Sequence, residues 1–134
     1  MTSRSILIVD DEANQRLMVE QALRSLAFDW TISTAASGQE ALESLALRPP
    51  DLIITDYHMP MMNGLELIAR VRERHIPSRI ILITAYSSPE LYDAAQQLQV
   101  DHYLTKPVPL TLLRRIAAGA LEAASALGDD CRMQ

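Results

Sequence analysis

Along this chain, short apolar runs rich in β-branched residues alternate five times with longer stretches of helical periodicity, and this alternation restricts the fold more than any other feature. The strand-like runs are residues 5–9, 30–35, 52–55, 79–84 and 101–104. The first, Ser5-Ile6-Leu7-Ile8-Val9, is apolar almost throughout, as expected of a central parallel strand covered on both faces. Residues 30–35 alternate instead and read as a flanking strand with one more polar face.

The spacing predicts a first helix over residues 12–26, with Ala13, Leu17, Met18, Ala22 and Leu26 on its inward stripe. Ser37-Gly38-Gln39-Glu40 has the form of a capping box opening a second helix, which Pro49-Pro50 closes. Asn63 and Glu66 cap a third helix running to about Arg74, and Ser88-Pro89-Glu90 starts a fourth. Residues 110–127 form a fifth, ending at Gly128. Five βα units predict a parallel sheet with right-handed crossovers and helices on both faces, an open doubly wound α/β domain over residues 1–128 with a polar tail at 129–134. Ligands of such sheets bind beyond the carboxyl ends of the strands where strand order reverses, which for the order 2-1-3-4-5 is between strands one and three.

With 134 residues, 49% of them hydrophobic, the chain can bury one core without a disulfide or a structural metal. Twelve Lys and Arg against seventeen Asp and Glu leave a charge of −5, which argues against a basic surface for nucleic acid or anionic lipid and favours a cation or a basic partner. The single cysteine, Cys131, allows neither a disulfide framework nor a CxxC pair, and suits a reducing compartment. With no signal-like or membrane-spanning run, the expected location is cytoplasmic.

The expected rim carries the chemistry. Strand one runs into Asp10-Asp11, strand three into Asp56, strand four ends in Thr84, and Lys106 follows strand five. Adjacent strands lie about 4.8 Å apart, so the three carboxylates converge. Two like charges at roughly 4 Å cost about 4 kcal/mol at an effective dielectric near 20, so the cluster must protonate or hold a cation. Hard oxygen donors without His or Cys favour Mg²⁺, which takes one or two carboxylates and completes its shell with water and phosphate. Singly, Asp-Asp after a strand is ordinarily a helix cap, Thr84 a turn hydroxyl and Lys106 a solvated charge. Their coincidence at separate strand ends is what points to a site.

Asp10-Asp11, Asp56 followed by Pro60 and Gly64, Thr84-Ala85, and Tyr103-Leu104-Thr105-Lys106-Pro107 together resemble the receiver domain of two-component response regulators, over about residues 5–127. The resemblance implies a flavodoxin-like (CheY-like) fold in which Asp56 accepts a phosphoryl group from the phosphohistidine of a histidine kinase or phosphotransfer protein. It further implies Mg²⁺ on Asp11, Asp56 and the backbone carbonyl of His58, with Asp10 assisting through water. Thr84 and Lys106 would hold phosphoryl oxygens, Ala85 would leave room for the group, and Lys106-Pro107 would be cis. The domain would catalyse its own phosphorylation without being an enzyme in the ordinary sense. Movement of Thr84 and Tyr103 would alter the face formed by the fourth helix, fifth strand and fifth helix, where a partner or a second copy binds.

Two departures and three rival readings matter. Gln99-Val100 stands where the family often has Gly-Ala, which changes how the fourth helix can end. His58 and Tyr86, two residues beyond Asp56 and Thr84, are bulky where attacking water would pass, so slow self-dephosphorylation is expected. A haloacid-dehalogenase-type phosphatase would want an Asp at position 58, and a Rossmann or P-loop module would want glycine after strand one, where the chain has Asp10-Asp11-Glu12-Ala13. A degenerate receiver used only for docking would lack some of the five chemical positions, all of which are present. His75 and His102 lack partners at metal-ligand spacing, and Arg70, Arg72 and Arg74 read as a solvated face. No output domain fits after Leu127, so the expectation is either a stand-alone receiver acting through protein contacts or a piece of a longer regulator.

Overall fold

The structure is a computed structural model that describes residues 4–26 and 30–133, with side chains as far as residue 121. The strands are β1 (Arg4–Val9), β2 (Trp30–Ala35), β3 (Leu52–Asp56), β4 (Arg79–Thr84) and β5 (His102–Thr105). All pair in parallel in the order β2-β1-β3-β4-β5. Between them run α1 (Ala13–Arg24), α2 (Gly38–Leu47), α3 (Gly64–Glu73) and α4 (Pro89–Gln97), and α5 (Leu110–Met133) follows β5. The expected doubly wound sheet and its order are both present.

Alternation along the strands builds two cores. Leu7, Val9, Ile53, Ile80 and Leu82 face the side of α2, α3 and α4, where Leu42, Leu67, Ile68, Val71 and Ala95 meet them. Ile6, Ile8, Leu52, Ile54, Ile81 and Ile83 face α1 and α5, where Leu23, Leu113, Ala117, Ala120 and Leu121 meet them. Each fully buried aliphatic side chain is worth roughly 1.5–3 kcal/mol relative to exposure, so the strands buried on both faces anchor the fold.

Helix α1 departs from the expected stripe. It turns Leu23 fully inward with Val19 and Leu26 beside it, leaving Ala13 exposed and Leu17 and Met18 at 51% and 49% exposure. The chain offers two apolar stripes on this helix, and docking on the sheet selects the one at 19, 23 and 26. The other helix starts follow their caps more closely. Ser37 Oγ accepts from Glu40 N at 3.1 Å, although exposed Glu40 returns no bond, so only half of that box forms. Asn63 and Glu66 form both halves of theirs. Ser88 caps α4 with Pro89 in its first turn.

At the far end, α3 and α4 close in the same way. His75 and Gln99 adopt left-handed φ values of 58° and 60°, and each end makes the paired bonds of a Schellman turn: Ile76 N to Val71 O with His75 N to Arg72 O, and Val100 N to Ala95 O with Gln99 N to Gln96 O. Gln99 thus takes the glycine conformation without glycine. Arg72 secures both ends, donating to the carbonyls of Ile76, Ser78, Leu98 and Gln99 at 2.9–3.1 Å. Partial burial, with Arg79 nearby, lowers its pKa from the usual arginine range despite the opposing pull of Asp101. Arg72 is therefore no part of a solvated face, whereas Arg70 and Arg74 are exposed as expected, Arg74 also donating to Leu42 O at 3.3 Å.

Helix α5 continues past the expected stop at Gly128 to Met133. A glycine costs about 1 kcal/mol in a helix interior, which weakens propagation without ending it. Ala117 and Ala120 are buried against the sheet, whereas the side chains of Ala123, Ala124 and Cys131 lie outside the described residues. Among the described residues no helix is long and apolar enough to cross a membrane.

Candidate functional site

The parity that builds the cores also builds the rim. Residues 6, 8 and 10, residues 52, 54 and 56, and residues 104 and 106 share one face, so Asp10, Asp56 and Lys106 emerge together beside Ile8 and Ile54. β1 and β3 are direct neighbours, with Ile8 opposite Ile54 and Val9 opposite Thr55. As a result one carboxylate oxygen from each of Asp10, Asp11 and Asp56 lies within 4.8 Å of the others. The convergence expected from strand ends alone is present, and β3 ends in Asp56 as expected.

Burial and charge differ across the cluster. Asp56 is 6% exposed, Asp10 half-buried and Asp11 exposed. The Lys106 ammonium lies 2.8 Å from Asp56 Oδ1, yet that buried oxygen has no hydrogen bond of good geometry, so the contact is an ion pair. Burial raises the pKa of Asp10, and the charges of Asp56 and Asp11 push the same way against the Glu12 amide and Lys106. Desolvation pulls the Lys106 pKa down, but Asp56, Asp10 and Glu12 outweigh it and leave it above the usual lysine value. One lysine cannot neutralise three carboxylates. Three hard carboxylate donors converging on one point, with a single ammonium against them, fit a cation.

Local structure holds these groups in place. Asp10 Oδ1 accepts from Glu12 N at 2.9 Å and Arg16 donates to Asp10 O at 2.7 Å, so Asp10 also tethers the start of α1. Nothing local in the sequence marks Arg16 for this role. Gly64 N donates to Tyr57 O at 2.8 Å, and a Cβ at Gly64 would lie 2.6 Å from Asp56 O and 3.0 Å from Tyr57 Cα. Only glycine lets α3 approach the strand end that closely. The Lys106-Pro107 bond is cis, and Lys106 N donates to Thr84 O at 2.8 Å.

Two hollows adjoin the cluster. A cleft of about 460 Å³ between α1 and α5 runs from Asp10, Asp56 and Lys106 past Met18, Val19, Val108 and Leu113. On the other side Asp11, Tyr57, His58, Met59, Pro60 and Asn63 line a shallow depression. His58 meets Tyr57 and Tyr86 edge-on, with ring centroids 4.8 and 5.5 Å apart, and Tyr86 itself is 76% exposed. Ala85 is exposed and Thr84 buried, with Thr84 Oγ1 bonded to the backbone of Tyr86. Tyr103 is half-buried on the α4 side. The loop methionines divide: Met59 is buried, Met62 covers Gly38, and Met61 is fully exposed with φ 72°.

Residues 6–118 match the family model described as the response regulator receiver domain. The response regulator protein PilR of Pseudomonas aeruginosa is 37% identical over 121 residues, covering 90% of this chain and 27% of PilR. The transcriptional regulatory protein PdtaR of Mycobacterium tuberculosis is 32% identical over 108 residues, covering 81% of this chain and 52% of PdtaR. The chain thus spans between about a quarter and a half of these curated relatives. Among solved structures, the Vibrio cholerae chemotaxis protein CheY4 is 29% identical with a TM-score of 0.80, covering 89% of this chain and 99% of that one.

Proposed function

As the chain belongs to the response regulator receiver domains of two-component systems, we propose that Asp56 is its phosphoacceptor and that it relays a phosphoryl group from a histidine kinase or phosphotransfer protein to a change of surface. The observation that carries this reading is the set of three carboxylates within 4.8 Å at the carboxyl end of the sheet, with Lys106 2.8 Å from Asp56. Asp10, Asp11, Asp56 and the backbone carbonyl of His58 would hold Mg²⁺, which when bound supplies the positive charge that phosphoryl oxygens need.

The chain's own groups do the rest. An Asp56 carboxylate oxygen attacks phosphorus as the phosphorus–nitrogen bond of the donor breaks, and the electron pair leaves with the donor imidazole. Lys106 turns from Asp56 to a phosphoryl oxygen, and the Thr84 hydroxyl donates to another. Ala85 leaves space for the group. His58 and Tyr86 shield it from water and prolong its lifetime. Leu17 and Met18, half-exposed on α1 with Met18 lining the cleft, offer apolar contact to the donor protein. The face of α4, β5 and α5, including Tyr103, would present the output to a partner or a second copy. A cytoplasmic location accords with the composition.

The test is intact-mass measurement after incubation with Mg²⁺ and a small acyl-phosphate donor. One added phosphoryl group on the wild type, and none on Asp56→Asn, is expected. Equal labelling of Asp56→Asn overturns the assignment, and steady donor turnover without an adduct indicates a phosphatase instead.

A further inference from the structure

Two hydroxyls on the α4 side of the rim are both engaged by one short loop. Buried Thr84 accepts from Tyr86 N at 3.1 Å and donates to Tyr86 O at 3.2 Å. The next side chain along, Ser87, shares a 2.8 Å hydrogen bond with the Tyr103 hydroxyl. Tyr92 of α4 meets the Tyr103 ring edge-on, with centroids 5.3 Å apart and planes at 88°. Leu82 pairs with Tyr103 and Thr84 with Thr105, so the two switch candidates stand on adjacent strands. Consecutive residues of the loop therefore hold both of them.

A hydroxyl has one proton to donate. While Thr84 gives it to Tyr86 O, it has none for a phosphate oxygen at Asp56. To serve the phosphoryl group Thr84 must leave Tyr86, and that loosens the backbone carrying Ser87. We propose that Ser87 is the positioning residue that couples the two: its hydroxyl keeps the Tyr103 ring against α4 while Thr84 remains bonded to Tyr86, and loss of either bond favours loss of the other. The coupling rests on the phosphoacceptor reading for what draws Thr84 away, whereas the hold on Tyr103 belongs to the resting protein. Ser87 is exposed, so removing its hydroxyl disturbs little else. One solvent-accessible neutral hydrogen bond shifts a two-state balance by about 2- to 10-fold.

The experiment uses the full chain labelled with 3-fluorotyrosine, which marks its four tyrosines, with the fluorine line of position 103 assigned by its loss in Tyr103→Phe. Affinity for beryllofluoride with Mg²⁺, a mimic of the phosphoryl group, is measured on the same variants. Ser87→Ala is expected to move and broaden the Tyr103 line and to tighten beryllofluoride binding by about 2- to 10-fold, because less of the ligand's binding energy goes into releasing the ring. Ser87→Thr, which keeps a hydroxyl, is expected to stay close to wild type in both. An unmoved Tyr103 line in Ser87→Ala overturns the hold. A moved line with unchanged affinity overturns the coupling while leaving the phosphoacceptor reading intact. Wild-type protein that binds no beryllofluoride overturns that reading, and the coupling with it, while the fluorine line still reports the hold separately.

Discussion

The same substitution, glycine to alanine, should have opposite consequences at two helical positions of this protein. At Gly64 the new methyl would lie 2.6 Å from Asp56 O, 2.9 Å from Leu82 Cδ1 and 3.0 Å from Tyr57 Cα, and two of these atoms are backbone. Relief requires moving the start of α3 away from the end of β3 by several tenths of an ångström, against the 2.8 Å bond from Gly64 N to Tyr57 O. Overpacking of this kind costs about 1–3 kcal/mol, and the helical preference of alanine returns at most about 1 kcal/mol. The expected net loss is up to about 2 kcal/mol. At Gly119 nothing lies within 4 Å, so only the preference remains and the gain is about 0.5–1 kcal/mol. Gly38 falls between, because its closest neighbour is the flexible Met62 thioether at 2.6 Å, which can turn aside. Urea unfolding followed by circular dichroism should rank the midpoints Gly119→Ala above wild type, Gly38→Ala near it and Gly64→Ala below. Labelling by an acyl phosphate should fall in Gly64→Ala alone, since that methyl displaces the peptide carrying Asp56. A Gly64→Ala midpoint at or above wild type would refute the claim that this glycine is required by close approach.

Three further outcomes follow from the site and its supports. The pKa of Asp10 is raised in the folded state, so its contribution favours folding below the unfolded value of 3.8 and is lost as pH rises through the folded value. Asp10→Asn should accordingly raise the melting temperature at pH 7 without Mg²⁺ by a few degrees, an advantage that fades towards pH 3 and reverses with Mg²⁺ in thermal scans. Replacing both His58 and Tyr86 with alanine should speed loss of the phosphoryl group by about tenfold, roughly 1.4 kcal/mol of barrier, and an unchanged decay rate rules out shielding by these rings. Arg72→Lys should lower stability by about 2–3 kcal/mol, because one ammonium cannot reach four carbonyls, while Arg70→Lys stays within about 0.5 kcal/mol of wild type on urea unfolding.

Strand identity, sheet order and the acidic rim were all legible in the chain itself. Apolar runs covered on both faces are a local property of residues 5–9, 52–55 and 79–84, and a parallel sheet of βα units has few ways to connect them. Once strands one and three are neighbours, Asp10, Asp11 and Asp56 have nowhere to go but together, and strand parity brings Lys106 to the same face. The caps at Ser37, Asn63 and Ser88 were equally local, since each bond spans three residues. Tertiary structure decided the rest. It chose Leu23 over Leu17 and Met18 as the inward side of α1, since only the docked helix distinguishes two adjacent stripes. It converted Arg72 from an ordinary helix charge into the clasp that joins the end of its own helix to the end of α4, 26 and 27 residues away. It also set Ser87 against Tyr103, 16 residues apart. Periodicity reports which way a side chain leaves its own backbone; what it meets depends on how separate elements settle against one another, and no local pattern encodes that.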